Sequence, residues 1–96
     1  MEQTQEGYYS LQGRPLTLQE TTEAVGVSVS TLMKRRKRLQ IEPRREGTKD
    51  IFFQAEDVVF LQYAERHPYI FVQLASGVSL EDLRAAALTD IQRHRV

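Results

Sequence analysis

Apolar positions recur at helical spacing in four stretches of this chain and run together in a fifth, Tyr69 to Leu74, and the breaks between them fall at glycine, proline and serine. Leu18, Ala24 and Val25 share one side of a first short helix. Thr17 and Glu20 stand in the capping-box relation, in which the hydroxyl takes an orphan amide and the carboxylate reaches back to the cap. Gly26 supplies the left-handed residue that ends such a helix tightly. Ser28 suits the cap of a second helix, predicted over 28–39, with Val29, Leu32, Met33 and Leu39 on one stripe and Arg36 at its edge. The opposite face holds Thr31, Lys34, Arg35 and Arg38, flanked by Ser30 and Lys37, and reads as too cationic to meet a core. Pro43 ends the helical pattern.

From Pro43 to Phe53 a turn centred on Gly47 separates two short runs of strand character, which predicts a small charged hairpin, or wing. Helical spacing resumes over Glu56–Arg66 with Val58, Val59, Leu61, Tyr63 and Ala64, and Glu56 and Asp57 suit the positive end of its dipole. Pro68 ends or kinks it. Tyr69 to Leu74 is apolar enough for a strand, but Ser76-Gly77 and then Ser79-Leu80-Glu81-Asp82 read as a helix end followed by a fresh cap, which favours helix. Ser79 to His94 places Leu80, Leu83, Ala87, Leu88 and Ile91 on one stripe, either to close the core or to form a dimer face. Upstream, residues 1–13 read as a polar tail in which Tyr8 to Leu11 is a candidate short strand, and Gly13-Arg14-Pro15 as a turn, leaving 14–96 as the folded domain.

Composition narrows the class. Ninety-six residues, 41% of them apolar, suffice for one core and not two. There is no leader-like start and no apolar run of membrane-spanning length, so a cytoplasmic protein without a membrane partner is expected. Without cysteine, disulfides and thiolate metal sites are excluded. The formal net charge is zero, which by itself argues against a polyanionic partner, but the distribution reverses that reading. Between Lys34 and Lys49 eight basic residues face two acidic ones, a surplus of six positive charges that the rest of the chain balances. A protein so polarised orients on a polyanion.

The run from Leu18 through Ser28 to Leu32, then Pro43-Arg44-Arg45 with Gly47, then Phe53-Gln-Ala-Glu-Asp-Val58, resembles the DNA-binding domain of MerR-type regulators and of the excisionases that share its plan. Gly77-Val-Ser-Leu-Glu-Asp-Leu-Arg84 is similar to that family's later helix start, so the resemblance spans about Thr17 to Leu88. It implies a mainly α fold with a small β wing, a winged helix-turn-helix. Its second helix enters the major groove of double-stranded DNA, and its wing over 43–53 touches flanking phosphates. Pairing of protomers, at least on DNA, follows from the half-site logic of such folds. The departures are Met33, Lys34 and Arg35 where relatives carry arginine and two aromatics, Ile51 where many carry a wing arginine, and a chain that stops at Val96 before any sensor region. The expectation is therefore a nucleoid-associated transcription regulator or architectural factor without a small-molecule effector or cofactor.

Within that frame Ser30, Thr31, Lys34, Arg35, Arg38, Arg44, Arg45 and Lys49 are the expected DNA contacts. Lys34 and Arg35 are the groove candidates, and Arg38, Arg44, Arg45 and Lys49 are positioned for phosphates. Thr31 reads equally as a phosphate contact or plain helix surface, Ser28 as a cap, and Arg36 as a partner for Glu20 or Glu23. Phe52, Phe53, Phe60, Tyr63, Tyr69 and Phe71 are spaced for a core rather than for base stacking. His67 and His94 lack partners at metal-ligand spacing and read as helix-terminal cations. No nucleophile, phosphate-binding loop or carboxylate pair supports an enzyme. The different-class alternative is an interaction module whose basic face docks an acidic protein.

Overall fold

Val58 to Ala64 is buried without a break, so the helix carrying it has no solvent face along that stretch and the rest of the chain packs around it. In the computed structural model, which describes residues 7–47 and 50–93, the order is β1 (Leu16–Thr17), α1 (Leu18–Val25), α2 (Val29–Arg38), β2 (Arg44–Glu46), β3 (Asp50–Phe53), α3 (Ala55–Arg66), α4 (Tyr69–Ala75) and α5 (Leu80–Arg93). The described part is mainly helical with one small antiparallel sheet, ordered β1-β3-β2. Lys49 and His94, singled out above, lie outside the described residues.

The sheet is what couples the first half of the chain to the hairpin. β1 pairs with β3 at Leu16↔Phe53 and Thr17↔Phe52, while β2 pairs with the other edge at Arg44↔Phe52, Arg45↔Ile51 and Glu46↔Asp50. Thr17 ends β1 and caps α1 at once, its hydroxyl accepting from the Glu20 amide at 3.1 Å while Glu20 accepts from the Thr17 amide at 3.0 Å. Phe53, fully buried, fixes the central strand in the core.

α1 packs the expected apolar set against the core and buries two threonines besides. Thr21 and Thr22 are the buried positions, and Leu18, Ala24 and Val25 are half-buried. Burial of the two threonines is tolerable because each hydroxyl donates to a carbonyl of the same helix, Thr21 to Thr17 at 2.8 Å and Thr22 to Gln19 at 2.7 Å.

The reading of residues 1–6 as polar tail lies outside the described residues, while the segment before Pro15 corrects the expected short strand over Tyr8–Leu11. From Gly7 onward it packs on α3, with Tyr8 buried and stacked on Tyr63 at 6.3 Å between ring centroids. Only an isolated bridge residue, Tyr9, has strand character there, and Leu11–Gly13 is a turn and bend. The fastening is polar. Gln62, 2% exposed in the middle of α3, accepts from the Tyr9 amide at 2.7 Å and donates to the carbonyls of Gly7 at 3.2 Å and Ala24 at 2.9 Å. One side-chain amide thus satisfies three backbone groups from two segments. A Cβ at Gly13 would meet the Tyr9 ring at 2.6 Å, which explains glycine at this turn.

α4 is a helix, as the serine and glycine after it predict. The stripe of α5 is spent on the core, with Leu83, Ala87 and Ile91 buried and Leu80 and Leu88 half-buried. Arg84 of α5 reaches back to Asp57 and, at 3.9 Å, to Glu56 in the first turn of α3. Of the aromatic residues assigned to the core, Phe53, Phe60, Tyr63 and Phe71 join it, whereas Phe52 is half-buried outside it and Tyr69 is 51% exposed. Its hydroxyl lies 3.5 Å from that of Tyr63, which donates to Asp90 at 2.7 Å, and burial together with these neighbours pushes the Tyr63 phenol well above its usual pKa. No helix among the described residues is long and apolar enough to cross a membrane.

Candidate nucleic-acid interface

α1 and α2 are joined by three residues, Gly26-Val27-Ser28. Gly26 is left-handed at φ 84°, and the amides of Gly26 and Val27 both return to the Thr22 carbonyl, at 2.7 and 3.2 Å. Ser28 then caps α2, its Oγ accepting from the Thr31 amide at 3.2 Å and donating to Thr31 Oγ1 at 3.1 Å. Ser28 is therefore a cap, as read, and Thr31 is half-buried with its hydroxyl drawn into that cap.

The cationic side of α2 is divided into two rows. Ser30, Lys34 and Lys37, at i, i+4 and i+7, form one exposed row. No ion pair with a described residue engages Lys34 or Lys37. The adjacent row, Thr31, Arg35 and Arg38, leans on the rest of the molecule. Arg35 forms an ion pair with Glu65 of α3 and lies 5.5 Å from the centroid of the Phe71 ring. Arg38 lies over that ring at 4.6 Å and donates to the Phe71 carbonyl at 3.2 Å. The expectation that this face is too cationic to pack is thus corrected for two of its members, because an aromatic face and a carbonyl accept guanidinium groups that an aliphatic core would not.

Other members of the set fall as follows. Val29 is 43% exposed, while Leu32 and Leu39 are buried and Met33 packs partly against the core. Arg36 pairs with neither Glu20 nor Glu23. Its Nη1 donates to the Ile41 carbonyl at 3.4 Å and its Nε is buried without a partner among the described residues. Glu20 is taken by Arg14, whose Nη1 and Nη2 donate to it at 3.0 and 2.8 Å. Those bonds, with the Thr17 amide, hold the Glu20 carboxyl at a pKa of about 2, well below the usual carboxylate range.

Past α2 the chain turns sharply. Gln40 takes a left-handed conformation at φ 57°, and the Ile41 amide returns to the Arg36 carbonyl at 2.8 Å, so that buried Ile41 anchors the lead into β2. On β2, Arg44 and Arg45 point to opposite faces, as successive strand residues must. Arg44 shares its face with Glu46, 3.9 Å away, with both side chains more than 60% exposed. Arg45 lines a cleft of about 520 Å³ between the hairpin and the start of α1, with Leu18 and Gln19 opposite and Asp50 and Phe52 beside it, and has no ion pair with a described residue.

The structure therefore gathers Ser30 and Lys34 with Lys37, which the sequence reading left at the margin. Lys37 was legible from its spacing, three residues after Lys34 and seven after Ser30. Arg35 and Arg38 are brought to the α3–α4 side of α2, and Arg44 and Arg45 are split between two faces of the hairpin. Comparison with family models, with curated proteins and with solved structures finds no match for this chain.

Proposed function

We propose that this chain is a double-stranded DNA-binding domain of winged helix-turn-helix plan, of the MerR-like kind, in which α2 enters the major groove and the β2–β3 hairpin lies on flanking phosphates. The observation that carries the reading is the exposed row Ser30–Lys34–Lys37 on the second of two helices joined by a three-residue turn, cationic and without ion pairs to described residues. An unpaired row of this kind carries little energetic penalty on approach to a polyanion, since no internal partner has to be given up. Two further features support it. The sheet ties the hairpin to the start of α1 through β3, and α1 leads by a three-residue turn into α2. The Ser28 cap leaves the exposed first turn of α2, with Ser30 at its surface, free of acidic side chains.

In this reading Lys34 and Lys37 face the groove and the nearer phosphates, Ser30 donates to a phosphate or base edge, and Arg45 reaches the backbone beside the start of α1. Arg38 contributes its charge from beside Phe71. Two protomers on adjacent half-sites give a site long enough for recognition. The test is binding to a mixed-sequence duplex followed by fluorescence anisotropy. Reversing charge with Lys34→Glu and Lys37→Glu together abolishes binding at moderate salt, while Glu81→Lys on the distant α5 does not. Equal affinities for the two variants would remove α2 from the interface.

A further inference from the structure

Of the five cations on α2, Arg35 alone is paired with a carboxylate of a described residue. Its partner Glu65 stands in the last turn of α3, where the negative end of the helix dipole disfavours an acid. Glu65 thus sits against its helix's own field, with a guanidinium from another helix as its compensation. Both side chains are 35% exposed, so solvent and any arriving polyanion reach the pair. The neighbouring Arg38 is held by neutral groups, a ring and a carbonyl, and keeps its charge available.

We infer that Glu65 sets the affinity of the DNA interface by acting as an internal competitor for the phosphate backbone, holding Arg35 on the protein so that in the wild-type complex it neutralises no phosphate of its own. The inference rests on the DNA-binding reading and adds to it a residue of the opposite charge. Wild-type affinity is therefore lower, and its salt dependence shallower, than the number of cations on α2 implies. Glu65 is a positioning residue, because it acts only through Arg35.

The experiment is a double-mutant cycle on the full chain, with affinity for one mixed-sequence duplex measured across a salt series. Glu65→Gln keeps the shape of the side chain and removes its charge. It is expected to tighten binding about two- to fivefold, the range set by releasing an exposed ion pair, and to steepen the slope of log affinity against log salt by about 0.9 as one more phosphate is neutralised. Glu81→Gln, an equally charge-neutralising change at an exposed position of α5, measures the contribution of net charge alone. In an Arg35→Ala background Glu65→Gln is expected to give no more than that control. Urea denaturation of each variant shows that the fold is retained. The inference is overturned if Glu65→Gln binds no tighter than Glu81→Gln, or if its advantage persists without Arg35. Absence of salt-dependent duplex binding by the wild-type chain is a separate result, which overturns the DNA-binding reading and this inference with it.

Discussion

The Arg38 guanidinium lies 4.6 Å from the centroid of the Phe71 ring and donates to the Phe71 carbonyl at 3.2 Å, so the last turn of α2 is fastened to α4 by a cation rather than by an apolar side chain. Such a fastening suits a helix whose function requires charge, because it docks the helix without neutralising it. Replacing Phe71 by leucine keeps most of the buried volume and the carbonyl contact but removes the aromatic face. The expected cost is about 1–2 kcal/mol of folding stability, from imperfect repacking and the lost cation–π contact. Urea denaturation of Phe71→Leu measures it, and an unchanged midpoint would separate this contact from the docking of α2.

Gln62 carries the join between the N-terminal segment, α1 and α3. Gln62→Leu leaves the Tyr9 amide and the Ala24 carbonyl without their side-chain partner, while the Gly7 carbonyl keeps the bond it accepts from Arg66 Nη2 at 3.2 Å. A loss of about 2–4 kcal/mol is expected, since each buried group left unsatisfied costs on the order of 1 kcal/mol or more. Hydrogen exchange at the Tyr9 amide accelerates in this variant before exchange in α3 does. Equal protection in the variant and the wild type would show that the join does not depend on the side-chain amide.

The Glu20 carboxyl, with a pKa of about 2, makes the α1 cap sensitive to acid. Because the folded-state pKa lies below the ordinary value of 4.5, the contribution is fully present above that ordinary value and is lost as pH falls towards 2. Carbon-detected NMR titration of Glu20 therefore gives a midpoint near 2. In Arg14→Ala the midpoint moves up towards the ordinary value, and the same variant loses the acid dependence contributed by this group. A wild-type midpoint near 4.5 would contradict the bidentate geometry.

Much of this arrangement was legible in the residues, and the misses share a physical cause. Helix limits followed from chemistry that acts within four residues, namely the Thr17 and Ser28 caps, Gly26 and the serine before α5, except that α2 is ended by left-handed Gln40 and not by Pro43. The burial of Thr21 and Thr22 beside the expected apolar residues of α1 was not legible, because these threonines become buriable only once their hydroxyls bond to carbonyls of their own helix. The packing of Arg35 and Arg38 was hidden in the same way, since it depends on Glu65 and Phe71, which are distant in sequence and belong to elements that pattern alone does not place. Gln62, not singled out from the sequence, is a hub, a role that requires knowing where Gly7 and Ala24 come to rest. Tyr8, read from the sequence as part of a candidate strand in the tail, joins the core for the same reason.

The two hairpin arginines, read together from sequence, separate by function in space. Arg45 faces the cleft beside the start of α1, whereas Arg44 shares its face with Glu46. Arg45→Ala is expected to weaken duplex binding about fivefold and Arg44→Ala about twofold, both irrespective of base sequence, as removal of a phosphate contact does. A larger loss from Arg44→Ala would place the opposite face of the hairpin against DNA.

The central claim is that α2 and the hairpin meet a phosphate backbone, and its most direct measurement is the salt dependence of duplex binding by the wild-type chain. With about four to five phosphates neutralised per protomer by Lys34, Lys37, Arg38, Arg45 and a second hairpin cation, log affinity falls against log salt with a slope of about −4. Lys34→Ala and Lys37→Ala each make the slope shallower by about 0.9. A slope near zero, or one that neither substitution changes, would contradict the account.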